Sequence, residues 1–248
     1  MVIGSLLYLM IGTRPDIAFA VTKLAQFAAC PSEEHFNKAL YICCYLRGTS
    51  KYCLTYDGTS GQGLIACTDS DWASDSNNRW SQTGYFLKLA GGAISWTSRA
   101  QKTVALSSTE AEYMALSDCS RQVVWMHHIL MGELGYHLKP VLICGDNQGS
   151  IFIASNPVTE KWSKHIDIRY HCIREVVERK FAEIFFIDGD KNPADLLIVR
   201  ATLPSALNVI NASSVGKLVQ LVTASRLILN HKGRVDPMKD ECHYQIKH

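Results

Sequence analysis

Charged residues are scarce in this chain, and the cysteine pairs that hold zinc are missing. Asp, Glu, Lys and Arg make up 19% of the 248 residues, and the formal net charge is only +2. So balanced a charge does not by itself indicate a polyanionic partner, although it leaves room for a local basic patch. None of the nine cysteines belongs to a Cys-x-x-Cys pair, which argues against a zinc site. Their odd number and apolar surroundings predict reduced core thiols in an intracellular protein.

The sequence also lacks an apolar run of about 18 residues, the length that a membrane span requires. Its first residues, Met1-Val2-Ile3, lack the positive charge that opens a signal peptide. These absences predict a protein of the cytoplasm or nucleus without a membrane partner. Internal repeats and low-complexity tracts are absent too. A hydrophobic content of 47% is enough for a globular core.

Three segments differ in their hydrophobic periodicity. Residues 1–57 predict a mostly helical segment that ends in a short strand at "YCLTYDG", and "GTSGQG" at 58–63 predicts a linker. Residues 58–204 predict an α/β domain with three strands, a helix, a strand, two helices, a strand and a last helix at "NPAD", which is typical of a mixed sheet covered by helices. Residues 205–248 end in a polar, aperiodic stretch, which predicts a poorly ordered tail.

Acidic residues stand at the ends of two apolar runs. In "LIACTDSDWASD", residues 64–75, Asp69 ends a buried strand. Asp71 and Asp75 follow in a turn rich in Ser and Asn, so they are predicted to be solvated. Asp146 ends "VLICGD" in the same way and immediately precedes a short helix that it could merely cap. Spacing alone leaves a capping role and a functional role open for Asp146.

The helix predicted at 108–131 carries two glutamates in different surroundings. Glu112 heads an apolar stripe, so it is predicted to face the sheet, where it needs a cation or a proton to offset its desolvation. The stripe comprises Leu116, Cys119, Val123, Met126 and Leu130. Glu110 points about 200° away, at ~3.6 residues per turn, onto a wetter face with Met114 and Ser117. It fits a capping box with Ser107, and the Thr109–Glu112 spacing fits the same pattern.

A fourth acid, Asp195, lies in "KNPAD", where Asn192 can cap a helix and Pro193 takes its first position. Alone, Asp195 fits a favourable helix-dipole role. Two strand ends, an inward helix face and a helix start can, however, converge at one edge of a sheet. Carboxylates gathered there repel one another unless divalent cations such as Mg²⁺ or Mn²⁺ lie among them, and two such ions suit phosphodiester hydrolysis. The set is Asp69, Glu112, Asp146 and Asp195.

These motifs resemble the C-terminal part of the Pol polyprotein of copia-type LTR retrotransposons. The resemblance covers about residues 4–204 and rests on "TDSDWASD", "SSTEAEYMAL", "ICGDNQGSIFIASNPV", "SKHIDIRYHCIREVV" and "NPADLL". It implies a ribonuclease H-like domain at 58–204, with a mixed five-stranded sheet flanked by helices. Because "YLMIGTRPDIAFAV" resembles the segment that joins the reverse transcriptase to that domain, residues 1–57 would be a remnant of the connection or thumb.

The resemblance also implies an activity, which is endonucleolytic cleavage of the RNA strand in RNA–DNA hybrids. The four acids would then be the catalytic carboxylates that bind two Mg²⁺ ions, with Mn²⁺ able to substitute. The Tyr-x-Asp-Asp turn of the polymerase is absent, so no polymerase activity is expected, and a polymerase domain would have to act in trans. Departures from the family pattern at Trp162 and at "IVRATLP" leave a second hypothesis, an inactive relic that binds nucleic acid or a protein partner. An integrase-like transferase would use three acids, and Asp195 argues against it.

Basic residues near the predicted acidic edge are candidates for binding the backbone of the hybrid. They are Arg99, Lys102, Lys161, Lys164, His165 and Arg169. Each one alone is an ordinary solvated charge, but together they could position phosphates without reading bases. On the helix after Lys164, a buried stripe is predicted that leaves Arg169 exposed. The stripe comprises Ile166, Tyr170, Ile173 and Val177.

Overall fold

A computed structural model of the chain describes residues 2–58, 63–75, 78–136, 139–156 and 164–198. Within these ranges the α-helices are α1 (Val2–Gly12), α2 (Ala18–Ala25), α3 (Glu33–Gly48), α4 (Ser108–His127), α5 (Gln148–Ser155) and α6 (Lys164–Glu178). The strands are β1 (Ile65–Asp71), β2 (Gln82–Leu89), β3 (Gly92–Ala100), β4 (Val141–Gly145) and β5 (Ala182–Phe186). Short 3₁₀ helices span Pro15–Ile17, Gly189–Lys191 and Pro193–Leu197, and a π-helical segment, His128–Glu133, extends α4. The tail predicted at 205–248, Lys161, and the side chains of Lys164, His165, Ile166 and Tyr170 lie outside the described residues.

The five strands form one mixed sheet in the order β3-β2-β1-β4-β5. β2 runs antiparallel to both β1 and β3, whereas β1, β4 and β5 run parallel to one another. This arrangement confirms the predicted α/β fold with a mixed five-stranded sheet. Because parallel strands end at the same edge of a sheet, the ends of β1 and β4 lie side by side.

The predicted hairpin at Gly91-Gly92 is confirmed, but the strand predicted at "YCLTYDG" is wrong. Residues 52–57 form no strand. They meet the hairpin through two isolated bonds, from the Tyr56 hydroxyl to the Ala93 carbonyl at 2.8 Å and from the Asp57 amide to the Ala90 carbonyl at 2.6 Å. The segment crosses the end of the hairpin and does not extend the sheet.

One face of the sheet packs against α4, as the apolar stripe predicts. Leu116, Cys119 and Val123 pack on buried residues of the sheet that include Ala66 and Ile143. The other side of α4 is predicted to be a wetter face. This prediction is wrong for the first turns of the helix, because α6 packs on them and the loop before α4 covers them. The residues of that face that are buried are Glu110, Met114 and Ser117.

On α6 the inward positions are Ile173 and Val176, both buried. Val177, which the stripe predicts as buried, is only half-buried, because the helix turns Val176 toward the core shared with α4. Arg169, predicted to be exposed, is also only partly exposed. The helix therefore buries a slightly different face than its sequence pattern predicts.

The opposite face of the sheet is covered by the N-terminal helices and by the 3₁₀ helix Pro193–Leu197. Ala18 of α2 and Leu197 share a cluster with Cys67 and Phe86. The Trp96 indole N–H on β3 donates to the carbonyl of Met10 at 2.9 Å. The predicted N-terminal helical segment is present and docks on the sheet, while the domain boundary predicted after residue 57 stays a prediction.

A buried ion pair holds the N-terminal helices together. The Arg14 guanidinium donates to the Asp16 carboxylate at 2.7 Å and to Thr49 Oγ1 at 2.6 Å, just after α3 ends. It also stacks over the Tyr45 ring. Burial and the charge of Asp16 raise the pKa of Tyr45 well above its usual range, so the phenol stays neutral.

The eight cysteines in the described part of the chain are all free thiols. Cys67 and Cys119 are buried, as predicted, but Cys30, Cys44 and Cys53 are exposed, so the prediction of core thiols is wrong for these three. They lie on or near the N-terminal helices, whose small core leaves much of the apolar surface uncovered. No helix among the described residues has the length and hydropathy needed to cross a bilayer.

Candidate metal centre

Three of the four predicted acids meet at the ends of β1 and β4. Asp69 on β1 is 4% exposed, Glu112 in the second turn of α4 is 8% exposed, and Asp146 directly follows β4. Each can offer one carboxylate oxygen, and these three oxygens lie within 4.8 Å of one another. Asp195 belongs to the 3₁₀ helix Pro193–Leu197 and is near enough for its charge to act on Asp69.

The register of β1 against β4 sets the spacing of Asp69 and Asp146. Cys67 and Cys144 are partners across the parallel pair, and each acid lies two residues beyond its cysteine. Because side chains alternate along a strand, both acids continue the face of their cysteines. Asn147, not Asp146, caps α5, since its side chain accepts from the Ser150 amide at 2.9 Å. The capping role considered for Asp146 is therefore taken by its neighbour.

One backbone amide joins Asp69 and Glu112. The N–H of Ser70 donates to Asp69 Oδ1 at 2.8 Å and to Glu112 Oε1 at 3.2 Å. Glu112 thus turns toward the strand and does not cap its own helix. Capping is left to Ser107, whose hydroxyl accepts from the Glu110 amide at 3.1 Å, while the Glu110 carboxylate accepts from the amide of Leu106 at 2.8 Å.

Burial and mutual repulsion dominate the electrostatics of this cluster. Burial, followed by the charges of Asp146 and Asp195, raises the pKa of Asp69 well above its usual range. Burial, followed by the charges of Asp69 and Asp146, raises the pKa of Glu112 to about 10. A cluster made only of desolvated carboxylate oxygens fits hard divalent cations such as Mg²⁺ or Mn²⁺, which would displace the bound protons.

Asp195 is positioned by the residues at the start of its helix. Asn192 is fully buried, donates to the Thr68 carbonyl of β1 at 2.9 Å, and accepts from the Ala194 amide at 3.2 Å. Pro193 takes the first helical position, as predicted. One asparagine side chain therefore caps the helix and ties it to the strand that carries Asp69.

Gly84 on β2 makes room for this helix. It is the register partner of Asp69. A Cβ atom at Gly84 would lie 2.7 Å from Ile198 Cγ2 and 2.8 Å from Leu197 Cβ, closer than such atoms approach. The absence of a side chain lets the helix that carries Asp195 lie directly on the sheet beside Asp69.

The two acids predicted to be solvated differ from each other. Asp75 lies in the turn, where its carbonyl accepts from the Arg79 amide at 2.8 Å. Asp71 is the last residue of β1 and pairs with Gln82, so the turn prediction is wrong for it. Its carboxyl is half-buried, and burial raises its pKa. β1 extends two residues beyond Asp69 because β2 continues to pair with it.

The predicted phosphate-binding residues have mixed surroundings. Arg99 forms an ion pair with Asp118 at 2.6 Å, and Asp118 also binds Arg121. Arg169 is half-buried beside the same group, and burial lowers its pKa. Lys102 is exposed in the loop that leads into α4. The two described arginines of the predicted set thus lie in or beside an ion-pair network on α4.

Two residues that sequence reasoning missed connect the loop before α4 with β1. Gln101 is buried and donates to the Ala111 carbonyl at 2.9 Å and to Ser70 Oγ at 3.3 Å. The Trp72 indole N–H donates to the Ala105 carbonyl at 3.1 Å. A glutamine in a loop normally indicates a solvated position, so the sequence carries no signal for Gln101. The tryptophan directly after "TDSD" is a signal that could have been used.

Comparison with known proteins identifies the family. The chain is 44% identical over 195 residues to the retrovirus-related Pol polyprotein from transposon TNT 1-94 of Nicotiana tabacum, covering 79% of this chain and 14% of that protein. The corresponding polyprotein from transposon RE1 of Arabidopsis thaliana is 39% identical over 198 residues, covering 79% and 13%. The chain belongs to the transposon Pol polyprotein family. This Pol segment spans about 14% of the length of such a polyprotein.

Two further similarities are more limited. The secreted RxLR effector protein 161 of Plasmopara viticola is 45% identical over 124 residues, covering 50% of this chain and 87% of that protein. Ribonuclease H1 from Halobacterium salinarum NRC-1 is 17% identical, with a TM-score of 0.40 over 55% of this chain and 94% of its own. No protein-family model matches the chain. The fold of this Pol segment is a mixed five-stranded sheet flanked by helices.

Proposed function

We propose that this Pol segment is a copia-type ribonuclease H, a metal-dependent endonuclease that hydrolyses the RNA strand of RNA–DNA hybrids. The observation that carries the proposal is the convergence of desolvated carboxylates, with oxygens of Asp69, Glu112 and Asp146 within 4.8 Å of one another. Membership of the transposon Pol family and the order of the strands support it.

The four carboxylates of Asp69, Glu112, Asp146 and Asp195 would hold two Mg²⁺ ions, with Mn²⁺ able to substitute. When bound, such ions supply a water that is deprotonated near neutral pH and stabilise the leaving oxygen. The chain itself keeps the ligands in place. The amide of Ser70 holds Asp69 beside Glu112, and Asn192 ties the helix of Asp195 to β1.

The substrate would be recognised by its shape and backbone. An RNA–DNA hybrid offers phosphates and 2′-hydroxyls in a wide, shallow minor groove, which requires no base readout. Lys102 is an exposed cation beside the entrance of α4, and we include Lys164 and His165 as further candidates for phosphate contacts. A polymerase domain would act in trans, and the cytoplasm or nucleus is the compartment that we predict.

Cleavage of a strand-labelled RNA–DNA hybrid by the full chain tests this function. With Mg²⁺ the protein should cut only the RNA strand, and EDTA should abolish cutting. Asp146→Asn should lower the rate at least 100-fold, because it removes a metal ligand from the cluster. Asp188→Asn, which removes an exposed loop acid paired with Lys191, is the matched control and should keep normal activity.

The outcomes separate the enzyme from the alternative. Cutting that persists in EDTA, or cutting that Asp146→Asn leaves unchanged, would contradict the assigned centre. A folded protein that binds the hybrid without cutting it would favour the inactive relic that binds nucleic acid.

A further inference from the structure

Trp72 occupies a position that packing alone does not explain. It directly follows β1, three residues after Asp69, and remains 50% exposed. Its indole N–H donates to the carbonyl of Ala105, which lies in the loop that leads into α4. The ring therefore spans from the strand that carries Asp69 to the entrance of the helix that carries Glu112.

One edge of the Trp72 ring is anchored although half of the residue's surface is open. Its N–H edge is held at Ala105, and the residue after it, Ala73, has a left-handed backbone with φ of +53°. The Ala73 amide donates to Ser81 Oγ at 3.1 Å, which closes the turn. A tryptophan whose N–H is already bonded presents the rest of its ring as an apolar surface.

Two further exposed apolar residues flank the acceptor of this hydrogen bond. Val104 and Leu106, on either side of Ala105, are both exposed, the latter by 84%. Ala105 itself is buried against Ala111 and Met114 of α4, so the loop is firmly seated beneath them. We call these three exposed residues around the Trp72–Ala105 bond, Trp72, Val104 and Leu106, the apolar ledge, and Lys102 lies in the same loop.

The chemistry of the site favours a nucleic-acid duplex as the occupant of this ledge. With Mg²⁺ bound, the acid cluster would engage the phosphates of the scissile strand, which leaves the uncharged parts of the duplex as partners for apolar side chains. Bases in a duplex are already stacked, which leaves the apolar faces of the sugars in a wide, shallow minor groove as the accessible partners. An indole plane bonded to a loop that also carries an exposed lysine matches such sugar–phosphate edges.

We propose that Trp72 is a positioning residue that packs against the sugars of the RNA–DNA hybrid and sets the scissile strand over the acid cluster. This inference rests on the proposed ribonuclease H function and goes beyond it, because it assigns a specific contact to a residue outside the metal ligands. Trp72 touches the substrate, and the carboxylates carry the chemistry.

The test compares Trp72→Ala with Trp125→Ala. Trp125 is 54% exposed on α4, the helix that carries Glu112. It lies 13 residues beyond Glu112, which is about 20 Å at ~1.5 Å per residue. In steady-state cleavage, Trp72→Ala should raise KM on the order of 10-fold, with kcat changed much less. Trp125→Ala should leave both constants within about twofold of the wild type. Trp72→Phe, which keeps a ring but loses the tether to Ala105, should be intermediate.

A binding measurement in EDTA gives a readout independent of catalysis. Fluorescence anisotropy with a labelled hybrid should show an affinity loss for Trp72→Ala that matches the rise in KM, and no loss for Trp125→Ala. Unchanged KM and affinity in Trp72→Ala would overturn the inference. A purely structural role would instead lower Tm and kcat together without raising KM, and Trp72→Phe decides the question if the alanine variant does not fold.

These measurements also distinguish failure of the Trp72 contact from failure of the proposed ribonuclease H function. If the wild type binds the hybrid but never cuts it, the function fails, while weaker binding by Trp72→Ala still supports the contact. If the wild type cuts normally and the Trp72 variants do as well, the function stands and the contact fails. Preferential loss of binding to a protein partner, with hybrid binding intact, would also overturn it.

Discussion

Glu112 couples the metal centre to the stability of the fold. Its pKa rises from an ordinary value of 4.5 to about 10 because it is buried beside Asp69 and Asp146. At pH values between these two pKa values, Glu112 keeps its proton in the folded protein and has lost it in the unfolded chain. The free energy of unfolding of the metal-free protein therefore decreases as pH rises through this window, and it is highest below it.

A thermal-shift titration checks this coupling. In EDTA, Tm should decrease between pH 5 and pH 9, because the raised pKa makes deprotonation costly in the fold. Mg²⁺ should oppose the decrease, since a bound cation replaces the proton. Glu112→Gln, which cannot ionise, should flatten the EDTA profile. Parallel profiles for the wild type and Glu112→Gln in EDTA would show that Glu112 does not titrate in this way.

Individual acids differ in how much the sequence alone reveals about them. Asp69 and Glu112 stand out because each interrupts an apolar pattern, and a buried carboxylate needs a reason. Gln101 and Ser70 do not stand out, because their importance comes from contacts with residues distant in the chain. Burial of Asp71 was missed for the same reason, since it depends on how far β2 pairs along β1.

At the scale of elements, the helix that carries Asp195 shows which features are local. Its start at Asn192-Pro193 is predictable because capping involves residues only a few positions apart. Its packing against the sheet is not predictable, because it depends on Gly84, more than a hundred residues earlier. Likewise, the short segment "YCLTYDG" has the composition of a strand, but it meets the β2–β3 hairpin only through the isolated bonds of Tyr56 and Asp57.

Gly84→Ala should disturb the packing of the Asp195 helix on the sheet. The new Cβ would overlap Leu197 and Ile198, so the helix must move or the sheet must bend, at a cost of about 1–3 kcal/mol in the free energy of unfolding. Urea denaturation measures this cost, and the Mg²⁺ concentration for half-maximal cleavage should rise because Asp195 shifts. Gly145→Ala, whose Cβ would meet only Thr68 Cγ2 at 3.8 Å, is the stability control. Equal stabilities of the two variants would contradict the tight contact.

At the scale of the whole molecule, the N-terminal helices and the sheet share a packed interface. Ala18 lies in the cluster that contains Cys67 and Phe86, and Trp96 bonds to the Met10 carbonyl. Helical periodicity predicts these helices individually, but periodicity carries no information on which face of the sheet they cover. Their docking against the face that also receives the Asp195 helix links the N-terminal segment to the candidate site.

Arg14→Ala tests whether the N-terminal helices and the sheet unfold together. It leaves the buried carboxylate of Asp16 without its cation, which should cost about 3–5 kcal/mol in the free energy of unfolding. Lys38→Ala, which removes an exposed partner of Glu34, should cost no more than about 1 kcal/mol. If the molecule unfolds as one unit, circular dichroism and cleavage activity should be lost at the same urea concentration in the Arg14 variant. Activity that survives after the helical signal falls would show that the sheet is stable alone.

The register of β1 against β4 has a consequence for insertions and deletions. Asp69 and Asp146 lie side by side only because Cys67 is the register partner of Cys144 in the parallel strands β1 and β4. A strand alternates its side chains with a period of two, so a one-residue slip would turn one acid to the opposite face. A single deletion within β4 should therefore abolish the centre, whereas an added residue in a loop leaves the pairing intact. The candidate site tolerates changes in the length of its connections and none in the length of its strands.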